Sequence, residues 1–257
     1  MSPAFKTVIP ARLGSSRLPG KPLLKIAGEP MIVHVCKRAL EAGGEVFVAT
    51  DDLRIVDAVS GLEVKAVMTR EDHASGTDRI TEVAEREGWS DDTLVVNLQG
   101  DEPLMQPHLI RELAAALAED TAASVATLAA PIGIADELFD PNAVKVVLNR
   151  LGHALYFSRA PIPWHRDRFR DNRDEIPENG TWLRHIGIYA YRAGFLRRYV
   201  GWPQSELERT EALEQLRILW QGEKIRVMTV PQPPHAGVDT PEDLERVCRI
   251  LAGHSSP

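Results

Sequence analysis

Cysteine, net positive charge and long hydrophobic runs are all scarce in this chain of 257 residues. It has two cysteines, Cys36 and Cys248, which excludes a disulfide scaffold, and no cysteine–histidine spacing matches a zinc site. The formal net charge of -7 excludes a nucleic-acid binder that works through bulk positive charge. The longest weakly polar stretch, residues 125–135, is too short to cross a membrane.

The amino-terminal segment has no signal-peptide core, because Pro10 and Arg12 interrupt its apolar residues. We therefore expect a cytoplasmic protein that neither inserts into a membrane nor binds nucleic acid. Hydrophobic residues make up 44% of the chain and charged residues 26%, which excludes disorder and allows one large core or two small ones.

Short β-branched runs alternate with helical periodicity along the chain, as is typical of a parallel α/β sheet. The predicted strands are residues 6–9, 45–49, 64–67, 93–98, 144–148, 154–157, 186–191 and 224–230. The predicted helices are residues 30–42, 78–87, 107–118 and 206–220, with a last helix that begins at Thr240. We expect a three-layer α/β/α sandwich around a mostly parallel, Rossmann-like sheet.

No internal repeat or linker divides the sequence, so we expect a single domain over residues 1–257. Within it, residues 130–200 form a subregion where strands follow one another without regular helices between them. Residues 166–178 carry nine charged side chains out of thirteen. Their alternating signs favour a solvated surface loop, and a mobile lid is the alternative.

A loop rich in small residues and cations, residues 10–22, follows the first predicted strand. Open α/β sheets bind ligands at the carboxyl ends of their strands, where this loop lies. It carries Arg12, Arg17 and Lys21, and its small residues allow backbone N–H groups to approach an anion. The pattern indicates a phosphate-binding loop, with a basic surface turn as the alternative.

The same loop is not a Walker A motif. Five residues rather than four separate Gly14 from Gly20, and Pro22 stands where that motif has its metal-binding Ser or Thr. Walker-type ATP chemistry is therefore disfavoured.

Acidic residues occur where two other segments end. Asp101 and Glu102 follow the apolar strand at residues 93–98, and Asp239 precedes the final helix. Carboxylates from two loop ends can share Mg2+, which accepts a few carboxylates plus phosphate oxygens. With the cationic loop they suggest phosphoryl or nucleotidyl transfer, although Asp239 alone would be explained by the helix dipole.

Eight motifs, taken in this order and spacing, carry a specific resemblance. These are ARLGSSRLPGKPL (11–23), DHASGTDR (72–79), VNLQGDEP (96–103), PNAVKVVL (141–148), ALYFSRAPIPW (154–164), RHIGIYAYR (184–192), EALEQLR (211–217) and GVDTPEDLERV (237–247). The first motif resembles the nucleotide-binding loop of sugar-acid cytidylyltransferases. Together the motifs closely resemble the 3-deoxy-manno-octulosonate (Kdo) cytidylyltransferase family, also called CMP-Kdo synthetases, from about residue 8 to residue 247.

The resemblance implies a nucleotidyltransferase domain of the nucleotide-diphospho-sugar transferase type. It implies that CTP and Kdo give CMP-Kdo and pyrophosphate with Mg2+, in a cytoplasmic homodimer that serves lipopolysaccharide biosynthesis. Residues 130–200 are then expected to supply dimer contacts and part of the sugar site. Pro161 and His165 depart from the commoner residues of the stretch FSRAPIPWHRD (157–167), which leaves the sugar acid less defined than the reaction.

The resemblance also implies roles for individual residues. The expected triphosphate ligands are Arg12, Ser15, Arg17 and Lys21. The expected cytidine pocket is formed by Ser75, Gly76, Thr77 and Gln99. Asp101 and Asp239 are expected to bind the metal and, with Arg12 and Lys21, to form the catalytic set. The residues expected to face the sugar acid are Arg159, His185, Tyr189, Glu214 and Gln215.

Four of the five sugar-facing residues also have a simpler interpretation. Glu214 and Gln215 lie on an amphipathic pattern whose polar residues are usually solvated, His185 can be structural, and Tyr189 can be a core residue.

Other functions remain open alongside this one. A cytidylyltransferase for sialic acid or an amino-substituted Kdo would share most of these motifs. A nucleotide-binding protein without catalysis would not need the pair of aspartates. A glycosyltransferase would carry a DxD-type metal motif, which Asp101-Glu102-Pro103 is not.

Overall fold

The structure is a computed structural model that describes residues 3–14, 18–73, 75–177 and 180–253. The chain forms two compact units. The first unit comprises Met1–Ala115, Ala190–Val200 and Pro234–Pro257, and the second comprises Ala116–Tyr189 and Gly201–Pro233. The assignment of residues 1–257 to one domain stays a prediction, as does the dimer and sugar-site role of residues 130–200.

The strands and helices are numbered in chain order. The strands are β1 (Phe5–Ala11), β2 (Lys25–Ile26), β3 (Glu29–Pro30), β4 (Glu45–Thr50), β5 (Lys65–Met68), β6 (Leu94–Asn97), β7 (Val125–Pro131), β8 (Lys145–Leu148), β9 (Ala154–Ser158), β10 (Leu183–Arg192) and β11 (Ile225–Thr229). The helices are α1 (Met31–Ala42), α2 (Leu53–Val59), α3 (Gly76–Arg86), α4 (Pro107–Glu119), α5 (Ala135–Phe139), α6 (Arg168–Asp171), α7 (Ala193–Tyr199), α8 (Glu206–Glu211), α9 (Gln215–Trp220) and α10 (Pro241–Leu251). A short 3₁₀ helix covers Lys21–Leu23.

The first unit contains a parallel sheet with the strand order β6-β1-β4-β5. In the second unit β7 pairs in parallel with β11, whereas β8 pairs antiparallel with β9 and with β10. The prediction of an α/β fold with a mostly parallel sheet is confirmed. Strand β7, in the weakly polar stretch at residues 125–135, was not predicted from the sequence.

Helix α1 illustrates how the sequence specifies a helix of the first unit. Its apolar face is formed by Ile32, Val35, Cys36 and Ala39, and all four side chains are buried. The spacing of these residues follows the helical repeat, so one stripe faces the core. Gly43 ends the helix with φ 87°, a left-handed conformation that favours glycine.

Capping boxes fix the beginnings of two helices that frame the site described below. The Ser75 side chain accepts from the backbone N–H of Asp78, and the Asp78 carboxylate accepts from the Ser75 backbone. Thr240 and Asp243 make the same reciprocal pair at α10. Each box satisfies backbone donors that a helix beginning leaves without an internal partner.

The helix predicted at residues 206–220 is wrong in its continuity, because the segment forms two helices, α8 and α9. Ala212 interrupts it with φ 51°, a left-handed conformation. Local periodicity could not reveal this break, because the apolar pattern continues across it. At the break, the Ala212 carbonyl accepts from Arg159, which is distant in the sequence, at 3.4 Å.

Within the charged segment at residues 166–178, Phe169 anchors the chain to the rest of the second unit. Phe169 of α6 is completely buried and packs with Trp182 and Phe139. Its described neighbours remain mostly exposed, as expected for a solvated segment. An aromatic anchor therefore fixes a stretch for which the charge pattern predicted only a surface loop or a lid.

None of the helices in the described part of the chain combines the length and the apolar character that a membrane crossing needs.

Candidate active site

The carboxyl ends of β1 and β6 place the first elements of the site at one edge of the first unit's sheet. The two strands are parallel neighbours, with Val8 opposite Asn97. Beyond β1 the chain continues to Arg12 and, after the loop, to Lys21 at the beginning of the 3₁₀ helix. Beyond β6 it continues to Asp101.

Backbone contacts bring the Asp239 loop against the Asp101 loop. The Val238 N–H donates to the Asp101 carbonyl at 2.9 Å. A Cβ atom at Gly237 would lie 2.8 Å from Glu102 Oε1 and 2.9 Å from the Asp101 carbonyl oxygen. Because real Cβ atoms do not approach so closely, only glycine fits here, and its absence of a side chain allows the loops to meet.

Lys21 joins the two aspartates. Its Nζ donates to Asp101 Oδ2 at 2.6 Å and to Asp239 Oδ1 at 3.0 Å. Burial lowers the pKa of Lys21, but the hydrogen bonds and negative charges of Asp101 and Asp239 outweigh it, and the pKa is raised above its ordinary value. The structure thus brings together three predicted residues that lie up to 218 positions apart in the sequence.

A cavity of about 450 Å³ opens over this cluster. Seven of the predicted nucleotide, catalytic or metal residues line it, namely Arg12, Lys21, Ser75, Gly76, Gln99, Asp101 and Asp239. Thr77 does not line it and is buried within α3, where its carbonyl accepts from the Thr81 hydroxyl. Ser15 and Arg17 lie outside the described residues.

Two polar side chains that line the cavity, His73 and Arg79, were not predicted, although both lie in the motif DHASGTDR. Arg79 donates to Thr69 Oγ1 at 2.5 Å and to Asp51 Oδ2 at 2.8 Å. His73 Nε2 lies 2.5 Å from Glu82 Oε2. These contacts fix the Arg79 guanidinium and the His73 imidazole in the cavity wall. In the sequence, their place in the motif is the only feature that indicates a role for them.

Glu102 contributes less negative charge than its neighbour Asp101. Burial raises the pKa of Glu102 to about 8, and the negative charges of Asp101 and Asp239 add to this effect. The carboxyl group is therefore largely protonated at neutral pH. Lys21 consequently faces two carboxylates rather than three.

The donor set of the cluster fits a magnesium ion. Among the described residues, no group of three or more His, Cys, Asp or Glu side chains is arranged to hold a metal. Asp101 and Asp239 supply two carboxylates that contact a common ammonium group. Mg2+ is usually bound by one or two carboxylates together with substrate phosphates and water, so two protein ligands suit it and do not suit zinc.

The second unit contains the five residues predicted to face a sugar acid. Arg159 follows β9, His185 and Tyr189 lie on β10, and the pair Glu214 and Gln215 begins α9. Helix α9 packs against β9, and the His185 ring contacts both Phe157 of β9 and Tyr189. These elements therefore adjoin one another within the unit. The solvated interpretation does not hold for Gln215, which is 6% exposed.

His185 is a neutral ring in this environment. Burial lowers the pKa of His185 to about 3, and the charge of Arg184 adds to the effect. Its Nε2 lies 3.0 Å from the Thr127 hydroxyl. A neutral imidazole carries no positive charge, so Arg159 is left as the cation of the predicted set.

Comparisons with known proteins identify the family of this chain. A cytidylyltransferase family profile matches residues 7–225. The chain is similar to a 3-deoxy-manno-octulosonate cytidylyltransferase of Methylococcus capsulatus, with 59% identity over 98% of each chain. It is also similar to one of Yersinia enterocolitica, with 56% identity over 96% of this chain and 98% of the relative. A solved structure of a CMP:2-keto-3-deoxy-manno-octonic acid synthetase complexed with CTP superposes with a TM-score of 0.88, at 47% identity, over 98% of this chain and 100% of the other.

Proposed function

The chain belongs to the cytidylyltransferase family, and on that premise we propose that it transfers CMP from CTP to the anomeric hydroxyl of Kdo. The products are CMP-Kdo and pyrophosphate. The observation that carries the proposal is the contact of Lys21 with Asp101 and Asp239 in the lining of a cavity of about 450 Å³. The names of the relatives support CTP and Kdo as the substrates.

The reaction is an in-line displacement at the α-phosphorus of CTP. The anomeric oxygen of Kdo forms the new bond to phosphorus, and the bond to the bridging oxygen of pyrophosphate breaks. Negative charge increases on the leaving phosphates, so fixed positive charge near them lowers the barrier. We assign this charge to Arg12 and Lys21 and, from the resemblance, to Arg17, with Ser15 as a further phosphate ligand.

We propose that Asp101 and Asp239 hold Mg2+ when the substrates are bound. The ion would supply positive charge at phosphate oxygens. Lys21 offsets part of the charge of the same two carboxylates in this structure, and the excess negative charge favours a further cation. No residue of the cluster is assigned as a general base.

The cavity walls of the first unit suit a nucleoside. Ser75 and Gly76 at the beginning of α3 present small groups, and Gln99 presents an amide whose nitrogen donates to Asn97 Oδ1. We propose that these residues, with Thr77 as a structural support, form the cytidine pocket. The sugar acid is assigned to Arg159, His185, Tyr189, Glu214 and Gln215 of the second unit.

A single assay tests the function. Purified protein is mixed with CTP, MgCl2 and Kdo, and the release of pyrophosphate is followed together with CMP-Kdo formation. We expect release that requires all three components. Parallel reactions with sialic acid and with an amino-substituted Kdo separate the substrate alternatives. Tight CTP binding without pyrophosphate release from any acid would contradict the proposal and favour a nucleotide-binding protein.

We also propose a cytoplasmic homodimer that supplies lipopolysaccharide biosynthesis. Leu155 and Trp164 support a subunit contact, because these large apolar residues of the second unit are 59% and 48% exposed. The unpaired thiols Cys36 and Cys248 agree with a reducing compartment. Light scattering on the wild type and on Leu155→Glu tests the dimer, and an unchanged mass in the variant would place the contact elsewhere.

A further inference from the structure

The guanidinium group of Arg159 is held by backbone carbonyl groups. Its Nε donates to the Glu211 carbonyl at 2.6 Å, and its two terminal nitrogens donate to the carbonyls of Pro141 at 3.0 Å and Ala212 at 3.4 Å. A guanidinium has five N–H donors, so one donor remains on each terminal nitrogen. Two such donors match the two oxygens of a carboxylate.

Lys145 fixes two of the segments that form this arrangement. In the β8–β9 pair it lies opposite Ser158, the residue before Arg159. Its Nζ donates to the Arg159 carbonyl at 2.6 Å and to the Asp140 carbonyl at 2.9 Å. Asp140 in turn precedes Pro141, whose carbonyl holds the guanidinium. One side chain therefore connects the backbone of Arg159 with a segment that restrains its head group.

Lys145 has no evident purpose as a core residue. Its side chain is completely buried. Burying an ammonium group is costly even with hydrogen-bond partners, and an apolar side chain of similar length would usually stabilise a core at least as well. The buried position of Lys145 is explained if the carbonyls of Asp140 and Arg159 must be held in place for a purpose other than core stability.

Glu211 restrains the same residue from the other side. Its carboxylate accepts from the Ser158 hydroxyl at 2.7 Å and from the Arg159 backbone N–H at 2.8 Å, while its own carbonyl accepts from the guanidinium. The next residue, Ala212, takes the left-handed conformation with φ 51°, and its carbonyl completes the set. Strained backbone of this kind persists where surrounding contacts require it.

We propose that Lys145 and Glu211 are positioning residues that hold the Arg159 guanidinium as the receptor for the carboxylate of the sugar acid. This inference rests on the proposed function, because it assumes that Kdo binds in the second unit. On this proposal, Arg159 makes the enzyme select an acid over a neutral sugar, because backbone carbonyls hold its guanidinium in one direction. Lys145 and Glu211 themselves do not touch the substrate.

The test compares Kdo with its neutral carboxamide in the pyrophosphate-release assay. The variants are Lys145→Met and Glu211→Gln, and the readout is the ratio of kcat/KM for the acid to kcat/KM for the amide. We expect the wild type to prefer the acid by at least about tenfold and each variant to lose most of that preference, since hydrogen bonds to a charged carboxylate depend on a correctly oriented guanidinium. The KM for CTP should stay within about twofold.

A matched control separates positioning from general destabilisation. Asp120→Asn weakens a pair with His153 in the same unit, where His153 Nε2 lies 2.7 Å from Asp120 Oδ2, and it leaves the Arg159 contacts intact. It should lower the thermal midpoint without changing the acid-to-amide ratio. If Lys145→Met does not fold, Glu211→Gln decides by the same ratio.

The outcomes of the experiment are distinct. A folded variant with the wild-type ratio overturns the inference and leaves the proposed function standing. A wild type that releases no pyrophosphate from CTP and Kdo overturns the proposed function itself. A ratio that falls in Asp120→Asn as well overturns the positioning role, because general loosening of the unit would then explain the effect.

Discussion

Two cations in this molecule, Lys21 and Arg159, are held in opposite ways. Lys21 in the first unit contacts two carboxylates, so its charge is balanced by full negative charges. Arg159 in the second unit donates to three backbone carbonyls, which orient it without neutralising it. The carboxylates around Lys21 suit a site in which a bound cation contacts the same oxygens. The carbonyls around Arg159 suit a guanidinium whose positive charge must remain available to an incoming anion.

The difference has a physical basis in the two environments. Carboxylates raise the pKa of Lys21 and lower the local charge, and a bound metal would compete for the same oxygens. Carbonyl dipoles carry only partial charge, so an arginine held by them still attracts a carboxylate strongly. We therefore expect variants at the Lys21 cluster and variants at Arg159 to change the kinetic constants of different substrates.

The largest effect is expected from the aspartates. Asp101→Asn and Asp239→Asn each remove a charge that we assign to metal binding, so kcat should fall by about 10²- to 10³-fold with little change in the KM for Kdo. Asp57→Asn, at an exposed position of α2, makes the same chemical change away from the cavity and should leave kcat unaltered. Near wild-type turnover in either aspartate variant would contradict the proposal that Asp101 and Asp239 bind the metal.

A smaller and differently directed effect is expected at Arg159. Arg159→Lys keeps the charge but loses the planar set of donors, so the KM for Kdo should rise by roughly 10- to 100-fold while the KM for CTP stays constant. Arg150→Lys at an exposed position provides the control. A rise in the KM for CTP instead would contradict the assignment of Arg159 to Kdo binding.

The smallest effect is expected at Ala212. Ala212→Gly relieves a left-handed conformation and should stabilise the protein by about 0.5–1 kcal/mol in urea unfolding, because the strain released exceeds the entropy that glycine adds to the unfolded chain. The Ala212 carbonyl is preserved, so the KM for Kdo should change less than about twofold. Destabilisation would show that the conformation carries no strain.

The first-unit site could be predicted from the sequence to a large extent. Lys21, Asp101 and Asp239 follow strand ends or precede a capped helix, and such positions are readable from local patterns. The close approach of their loops depends on Gly237, whose role only coordinates reveal. His73 and Arg79 were missed because a motif names residues without saying which of them face a cavity.

The second unit was less predictable because tertiary contacts determine its main features. Ala212 breaks a continuous helical pattern, and its carbonyl accepts from Arg159, which is distant in the sequence. Lys145 reads as an ordinary surface lysine within a strand, yet it is buried. Phe169 is a single aromatic residue in a charged segment, and the partners that bury it come from other parts of the chain.

The central claim is that Lys21, Asp101 and Asp239 form one site for a metal-chelated triphosphate. Calorimetric titration of CTP into the wild type and into the Asp101→Asn/Asp239→Asn double variant, with MgCl2 and with EDTA, tests it most directly. We expect Mg2+ to tighten CTP binding to the wild type by at least about tenfold and to leave CTP binding to the double variant unaffected. An equal magnesium dependence in both proteins would contradict it.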